Sequence, residues 1–593
     1  MMISFLNKLR FRFLSPDSRF ELWLRTLYHR VMASRIVFKI QDYLAIRSYT
    51  HWKAKQLEES IPETVMPTPT PKIIFMVFGV NADPKALRDT LESILKLHRD
   101  NWEVLIIKDS RSDENNTPKV FSTDQKVSIL DGEVSSLSEV PRGEYILICQ
   151  AGDIFYPSLL DHFYQHYTHA QNADVFYFDI EIIDENTGKL KPVFKPGMIT
   201  THQFLSVNYL SRSIIRRSAF DKIADNFFQM QNFQLFDYQL CLRLCEKYTD
   251  FDHISKVLIK QTTLSNPANP QINALLCDHL SESGCENATS VDLSNQIRFT
   301  WKTGDPSVDI LILTKNNQHF LEPLLASIKE KTETKNYRIS IVDNGSDDPG
   351  TLAFYHEIMN KSEIRIIPYP KAFNYSDAIN LGVSQTDSDL LLFMNDDMLV
   401  KTPGWLTELT RWATRPDVGV VGAKLLRANH TIQHAGIIIG LSGFVGHLYL
   451  NASEHYSGLM GSVDWYHNFL AVTGALQMVR RTIFDQVGGY DQGFELAFGD
   501  IDFCLRVHEF GYQNVYTPFA QLYHFEGSTR GYSTPAKDAL RGFDKFQSYL
   551  IKGDPFFSPN LSYSRIPRCK FNLDSEENLE QLLKERKMFY LGK

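Results

Sequence analysis

Short apolar runs, each closed by polar or acidic residues, recur along this chain and predict its elements. The sharpest is Leu390 to Met394, bounded by Ser388-Asp389 before it and Asn395-Asp396-Asp397 after it. A continuous apolar run of that length predicts a strand buried on both faces. Ile73 to Phe78, Trp102 to Ile107 and Glu144 to Cys149 predict strands of the same kind, the second ending at Asp109. Between the first two, Leu87, Leu91, Ile94 and Leu95 mark one face of a helix over 84–97. The order then repeats. Val308 to Leu313 answers the first strand, the helix Leu321 to Lys331 the first helix, and Tyr337 to Val342, ending at Asp343, the second strand. Leu390 to Met394 answers Tyr145 to Cys149. Farther on, Ile214 to Asp221 parallels Met478 to Asp485, and Phe236 to Arg243 parallels Gly499 to Arg506. Ordered repetition of this kind predicts two copies of one α/β domain, each a mostly parallel sheet with helices on both faces.

The pattern also sets boundaries. A basic segment over 1–61 carries Phe20, Leu24, Leu27 and Val31 at helical spacing, with Trp23 and Tyr28 between them. Such a helix suits an anionic membrane surface, as a peripheral contact through residues 1–60, and equally suits packing on the domain that follows. A Pro-rich linker covers 62–71, the first copy 72–264, a connecting segment with a short helix 265–305, the second copy 306–532 and a helical tail 533–593. The 593 residues are 43% hydrophobic and 22% charged, with a formal net charge of -8, which argues against broad nucleic-acid binding. Seven scattered cysteines without a Cys-x-x-Cys pair suggest neither a zinc site nor a disulfide framework, so a cytoplasmic setting is expected. No uncharged run reaches the roughly 18 residues of a membrane-spanning helix.

Candidate chemistry gathers at the strand ends of the second copy. Open α/β sheets bind ligands there. Thr314-Lys315-Asn316 follows its first strand and Asp343 its second, where a carboxylate can accept from a base or ribose hydroxyl. Asn380 closes a helical stretch just before Gly382. Asp396 and Asp397 can hold a divalent cation against a diphosphate, and His524 completes a reasonable ligand set for Mn²⁺ or Mg²⁺. Asp500 and Asp502 open a helix, where Asp502 and Arg506 fit a helix-start ion pair as well as substrate contacts. His434, His447 and Cys504 read as core or loop residues.

These motifs resemble the family 2 inverting glycosyltransferases of bacteria, which have the GT-A fold, and above all the tandem-domain kind associated with cell-surface polysaccharide assembly. The matching residues are Ser340 to Ser346, Phe373 to Val383, Met394 to Asp397, Gly422 to Leu426, Gln433 to Gly436, Val472 to Ala475, Asp500 to Arg506 and Leu522 to His524. The resemblance runs from about Pro71 to Leu561, including Gly553 to Leu561. It implies two tandem, Rossmann-like GT-A domains and an enzyme moving a hexosyl or deoxyhexosyl group from a nucleotide-sugar donor to a saccharide or lipid-linked saccharide acceptor. By that resemblance Asp343 contacts the nucleotide, Asp396 and Asp397 the metal and pyrophosphate, and His524 the metal. Asp500 is the catalytic base, at a position that reads Glu-Asp in many relatives and Gly499-Asp500 here. Gly474 and Ala475 lie in a loop near the acceptor.

The first copy departs from the pattern. Where relatives carry Asp-x-Asp-Asp it reads Gln150-Ala151-Gly152-Asp153, and the residue expected in place of the metal-binding histidine is Lys260. An amide and a glycine replace carboxylates poorly toward a hard cation, and an ammonium repels one. Lys260 could instead take the place of the metal charge. Three readings therefore stand: one active site in the second copy, a bifunctional transferase, or a non-catalytic carbohydrate- or nucleotide-sugar-binding protein. The intact set Asp343, Asp396, Asp397, Asp500 and His524 argues against the last.

Overall fold

The computed structural model describes residues 49–56, 67, 69–79, 83–108, 126–131, 140–183, 190–224, 232–261, 267–292, 296–359, 363–525, 534–563 and 579–592. The expected basic amphipathic helix, most of the Pro-rich linker and Asp109 lie outside them. No helix among the described residues is long and apolar enough to cross a membrane. The chain divides into two compact units, one formed by Ile46–Leu276 with Ser558–Asn560, the other containing Cys277–Phe557 and Leu561–Lys593.

In the first unit the sheet runs, edge to edge, Val127–Asp131, Trp102–Lys108, Ile73–Phe78, Tyr145–Gln150, Ile214–Arg216, Val175–Ile183, Phe251–Gln261, Ile154–Phe155. In the second unit the order is Ile364–Pro368, Tyr337–Asp343, Val308–Thr314, Leu390–Asn395, Leu476–Arg480, Val418–Leu426, Gln513–His524, Met398–Val400. One topology, used twice, gives two tandem GT-A-like α/β domains, as the repeated apolar runs predict. The sheets are mixed rather than mostly parallel. Four parallel strands meet an antiparallel one, Ile214–Arg216 in the first unit and Leu476–Arg480 in the second.

The central strands are buried along their whole length because their runs carry no polar face; Ile73–Phe78 is covered throughout. Helices Gln318–Lys331, Tyr375–Ser384 and Trp405–Ala413 pack on the second sheet. Gly382 lets the middle one come close, since a Cβ there would lie 2.7 Å from Leu311 Cδ2. The expected connecting segment holds a helix, Pro270–Glu282, and an antiparallel hairpin, Glu286–Asp292 with Ile297–Lys302.

Two further features of the units matter below. In the second, a hairpin of Ile437–Ile439 and Val445–His447 is backed by the C-terminal helices: Phe444 stacks on Phe543 at 4.2 Å, and Asp554 Oδ2 accepts from Ile439 N at 2.8 Å. In the first, buried Asp179 accepts from Lys195 N at 2.8 Å and Asn560 Nδ2 at 2.6 Å, and His253 Nε2 lies 3.0 Å from it.

Candidate active site

A cleft of about 840 Å³ opens at the C-terminal ends of Val308–Thr314 and Leu390–Asn395 in the second unit. Thr314, Asn316, Asp396, Asp397, Gly474, Ala475, Asp500 and His524 all line it. Residues from five stretches of sequence meet there because each follows a strand or begins a helix at the same edge of the sheet.

Asp396 Oδ2 accepts from Thr314 Oγ1 at 2.6 Å and Asn317 Nδ2 at 2.8 Å. Burial raises its pKa, the Thr314 and Asn317 donors work against that, and the neighbouring Asp397 charge adds to it. Asp397 Oδ1 stands 3.3 Å from His524 Nε2. The ladder sets this pair: Met398 is registered on His524, and Phe525 N donates to Asp397 O at 2.9 Å. Both side chains are nearly buried, and His524 Nδ1 is buried without a hydrogen-bond partner. With the proton on Nδ1, Nε2 and Asp397 Oδ1 offer two adjacent lone-pair donors, a set that suits Mn²⁺ or Mg²⁺. Among the described residues no three His, Cys, Asp or Glu side chains converge. Diphosphate oxygens and water would therefore supply the rest of a cation's shell, as is usual for Mg²⁺.

Asp500 sits in the first turn of helix Gly499–Glu509, behind Phe498 in the left-handed region at φ 67. Its Oδ2 accepts from Gly474 N at 2.7 Å and its Oδ1 from Ile501 N at 2.9 Å. A Cβ at Gly474 would lie 2.8 Å from Asp500 Cβ, so the loop reaches the carboxylate only with glycine. A Cβ at Gly499 would meet Ser376 Oγ at 2.9 Å, and that hydroxyl is committed to Phe494 O at 2.7 Å. The glycine that stands where relatives carry Glu is thus also a packing residue.

Other expected site residues lie off the cleft wall. Asn380 clamps Tyr490, donating to its O at 2.8 Å and accepting from its N at 2.9 Å, and does not line the cleft. Asp343 accepts from Ser346 N at 3.0 Å and Tyr355 OH at 3.0 Å, closing the turn beside the cleft. Asn316, at φ 51, ties its loop to that turn by accepting from Asp347 N at 2.9 Å and Asp348 N at 3.0 Å. Asp502 binds Arg506 at 2.8 Å and Lys545 at 3.0 Å, which makes it a structural ion pair. Sequence reasoning passed over Asn317, although it adjoins Thr314-Lys315-Asn316; it read the cleft-lining His447 as a core or loop residue and gave Phe373, Tyr375 and Gln433 no role beyond their place in matching motifs.

Matching the ladders of the two units fixes what the first has lost. Phe78 pairs with Gln150 as Leu313 pairs with Asn395, so Ala151 and Gly152 occupy the positions of Asp396 and Asp397. Ile214 pairs with Leu147 and Phe176, as Met478 pairs with Leu392 and Val421. Continuing that match, Ile180 pairs with Ile259 as Leu425 pairs with Leu522. Gln261, not Lys260, therefore stands at the position of His524. Lys260 matches Tyr523 and, one residue away on the strand, projects to the other face.

An arginine fills the region instead. Arg212, at φ 61, matches Leu476; its Nε donates to Asp153 at 2.8 Å and its Nη1 to Asp237 at 3.3 Å. Asp237 matches Asp500 but is buried, and also accepts from Ser211 Oγ at 2.7 Å. Burial raises the pKa of Asp237 while Arg212 pulls it down.

Residues 309–488 match the family model described as glycosyl transferase family 2. An uncharacterized protein of Sinorhizobium fredii is 32% identical over 536 residues, covering 84% of this chain and 58% of its own length. The O-antigen biosynthesis protein RfbC of Myxococcus xanthus is 27% identical over 513 residues, covering 81% of this chain and 40% of its own. This chain thus spans about half the length of those two relatives. An N-acetylglucosaminyl-diphospho-decaprenol L-rhamnosyltransferase of Mycobacterium tuberculosis is 24% identical over 247 residues, 37% of this chain and 77% of that one. Among solved structures, a mannosyltransferase of Pyrobaculum calidifontis in complex with GDP-Man and Mn²⁺ aligns at a TM-score of 0.33 and 15% identity, over 48% of this chain and 74% of that one.

Proposed function

We propose that the second unit transfers a sugar, with inversion, from a nucleoside-diphosphate donor to a hydroxyl of a saccharide or lipid-linked saccharide acceptor in surface-polysaccharide assembly. One observation carries this reading: a single cleft holds the Asp397–His524 pair and Asp500, whose carboxylate is aimed by a glycine amide. The M. xanthus relative, an O-antigen biosynthesis protein, and the M. tuberculosis relative, a rhamnosyltransferase, support the substrate class.

Inversion needs one displacement, in which the acceptor oxygen bonds to the anomeric carbon as the diphosphate oxygen leaves. Asp500 takes the proton of the attacking hydroxyl. Gly474 N and Ile501 N fix the carboxylate beforehand, so no reorientation accompanies attack. Asp396, held by Thr314 and Asn317, and Asp397 with His524 would hold the cation, which when bound offsets the charge developing on the leaving diphosphate. Asp343, beside the cleft, is the nucleotide contact in this reading. The Asp237–Arg212 pair favours a non-catalytic first unit over a bifunctional enzyme.

The test is nucleoside diphosphate release from a panel of nucleotide sugars with saccharide acceptors. His524→Ala or Asp397→Ala should weaken Mn²⁺-dependent nucleoside diphosphate binding, measured by calorimetry, by about 10-fold or more, since even outer-shell partners of metal ligands carry that much. Full activity in the presence of chelator would remove the metal from the reading.

A further inference from the structure

Helix Ala536–Lys545 does not line the cleft, yet it turns Lys537, Asp538, Arg541 and Lys545 toward the stretch 491–502 that leads into and carries Asp500. Lys537 Nζ lies 2.5 Å from Glu495 Oε1, while Arg541 Nη2 and Lys545 Nζ each lie 2.6 Å from Asp491 Oδ2. Those three cations are partly exposed, and pairs of that kind hold little. Asp538 is different. It is fully buried and accepts from three consecutive backbone amides. Glu495 N donates to its Oδ1 at 3.2 Å, and Leu496 N and Ala497 N donate to its Oδ2 at 2.8 and 2.9 Å. Three converging N–H donors need an acceptor with two oxygens and no hydrogen, which among side chains only an ionised carboxylate supplies.

The carbonyls of the same turn are taken by the start of helix Tyr375–Ser384. Tyr375 N donates to Glu495 O at 2.7 Å, and Ser376 Oγ donates to Phe494 O at 2.7 Å. Leu496, Ala497 and Phe498 then form part of the cleft wall. Phe498 sits at φ 67, a left-handed conformation that a bulky residue holds only where its surroundings impose it. Two contacts do so. One is the amide cage of Asp538 just before it, and the other is the edge-on packing of its ring against Phe444 at 4.8 Å. Phe444 is itself stacked on Phe543 of helix Ala536–Lys545, and Gly542 of that helix makes room for it, since a Cβ there would lie 2.7 Å from Phe444 Cζ. One helix thus backs both the loop before Asp500 and the hairpin of the cleft wall. The turn at Phe498 opens helix Gly499–Glu509, with Asp500 in its first turn.

We propose that Asp538 is a positioning residue for the transfer step: by collecting three amides it holds the left-handed turn at Phe498 and so keeps Asp500 aimed at the acceptor hydroxyl. The inference rests on the transferase reading and deepens it, by placing part of the acceptor-side machinery on a helix outside the cleft. Asp396, Asp397 and His524 stand at strand ends that Asp538 does not touch, so its effect falls on transfer and not on donor binding.

The experiment compares the native enzyme with Asp538→Ala, which removes the cage, and Asp538→Asn, which keeps one acceptor oxygen. Each is assayed with the nucleotide sugar that gives turnover and a panel of methyl glycosides as acceptors. The number of nucleoside diphosphate sites is titrated by calorimetry, and kcat is expressed per site. Chains that have not folded drop out of that ratio, so a loss of stability alone leaves it unchanged. Expected is a kcat per site lowered about 10- to 100-fold in Asp538→Ala, the range for a reacting group displaced by up to about 1 Å. Asp538→Asn should lose less, and the nucleoside diphosphate Kd should stay within twofold in both. Where Asp538→Ala titrates no sites, the nearly isosteric Asp538→Asn decides. Turnover by the native enzyme with an unchanged kcat per site in the deciding variant overturns this inference alone. A nucleoside diphosphate Kd that weakens in step with kcat does the same, because Asp538 would then support the whole cleft. No turnover by the native enzyme with any nucleotide sugar overturns the transferase reading and this one with it.

Discussion

Replacing Asp500 by Asn is expected to slow sugar transfer by about 10²–10⁴-fold, the usual effect of losing a general base, with nucleoside diphosphate affinity changed only a few-fold. The amide cannot take a proton. It also cannot reproduce the local bonding, because both carboxylate oxygens accept from backbone amides, Gly474 N at 2.7 Å and Ile501 N at 2.9 Å. An Asn side chain has one acceptor oxygen, so one of those amides would face an NH₂ group. In the proposed reading the damage falls on the acceptor side of the cleft, whereas Asp396, Asp397 and His524 serve the diphosphate end. Single-turnover rates with a saturating nucleotide sugar, beside calorimetry of the nucleoside diphosphate, separate the two. Near-native turnover in this variant would take the base role away from Asp500.

The first unit should respond to its arginine in stability rather than in catalysis. Arg212→Leu copies the residue at the matching position, Leu476, and leaves Asp153 and Asp237 buried without their guanidinium. Breaking a buried pair from one side costs about 3–5 kcal/mol, which for a unit of this size lowers its unfolding transition by roughly 6–20 °C. Adding Asp237→Asn to Arg212→Leu should recover part of that loss, because one of the stranded charges is then gone. Asp237→Asn alone should alter sugar transfer by less than about threefold, since a carboxylate bound to arginine is not available as a base. Differential scanning calorimetry and the transfer assay read the two effects separately. A product whose formation needs Asp237 when Asp500 is mutated would instead reveal two active sites.

The two-domain plan was legible because buried strands write themselves as unbroken apolar runs, and strand-terminal acids such as Asp343, Asp396 and Asp397 mark the ligand-binding edge. Asp500 stood out as a helix-start carboxylate and His524 as a residue after a strand, the base role of Asp500 came from a resemblance, and the cleft brings both to that edge. What the sequence hid is what depends on register and on long-range pairing. The one-residue slip between Lys260 and Gln261 shows only in the ladders, where Ile180 pairs with Ile259 as Leu425 pairs with Leu522. No local pattern of residues sets such a register. Arg212 lies 59 residues from Asp153 and 25 from Asp237, so nothing near it in sequence suggests an ion pair. Asn380 misled because a polar residue near a helix end looks the same whether it serves a ligand or, as here, clamps the backbone of Tyr490.

The Asn560 side chain has a consequence for how this protein is made. Asp179 is buried in the first unit, yet the Asn560 amide that satisfies it lies 381 residues later in the chain. Asn560 Nδ2 also donates to Ser255 O at 3.0 Å, so the same side chain serves two of that unit's strands. During synthesis the first unit emerges and collapses long before residue 560 exists. Until then a carboxylate in its interior lacks one of its donors, and an unmatched buried acceptor of that kind weakens a fold. The first unit to leave the ribosome therefore stays unfinished until translation has passed residue 560, beyond every strand of the second unit's sheet.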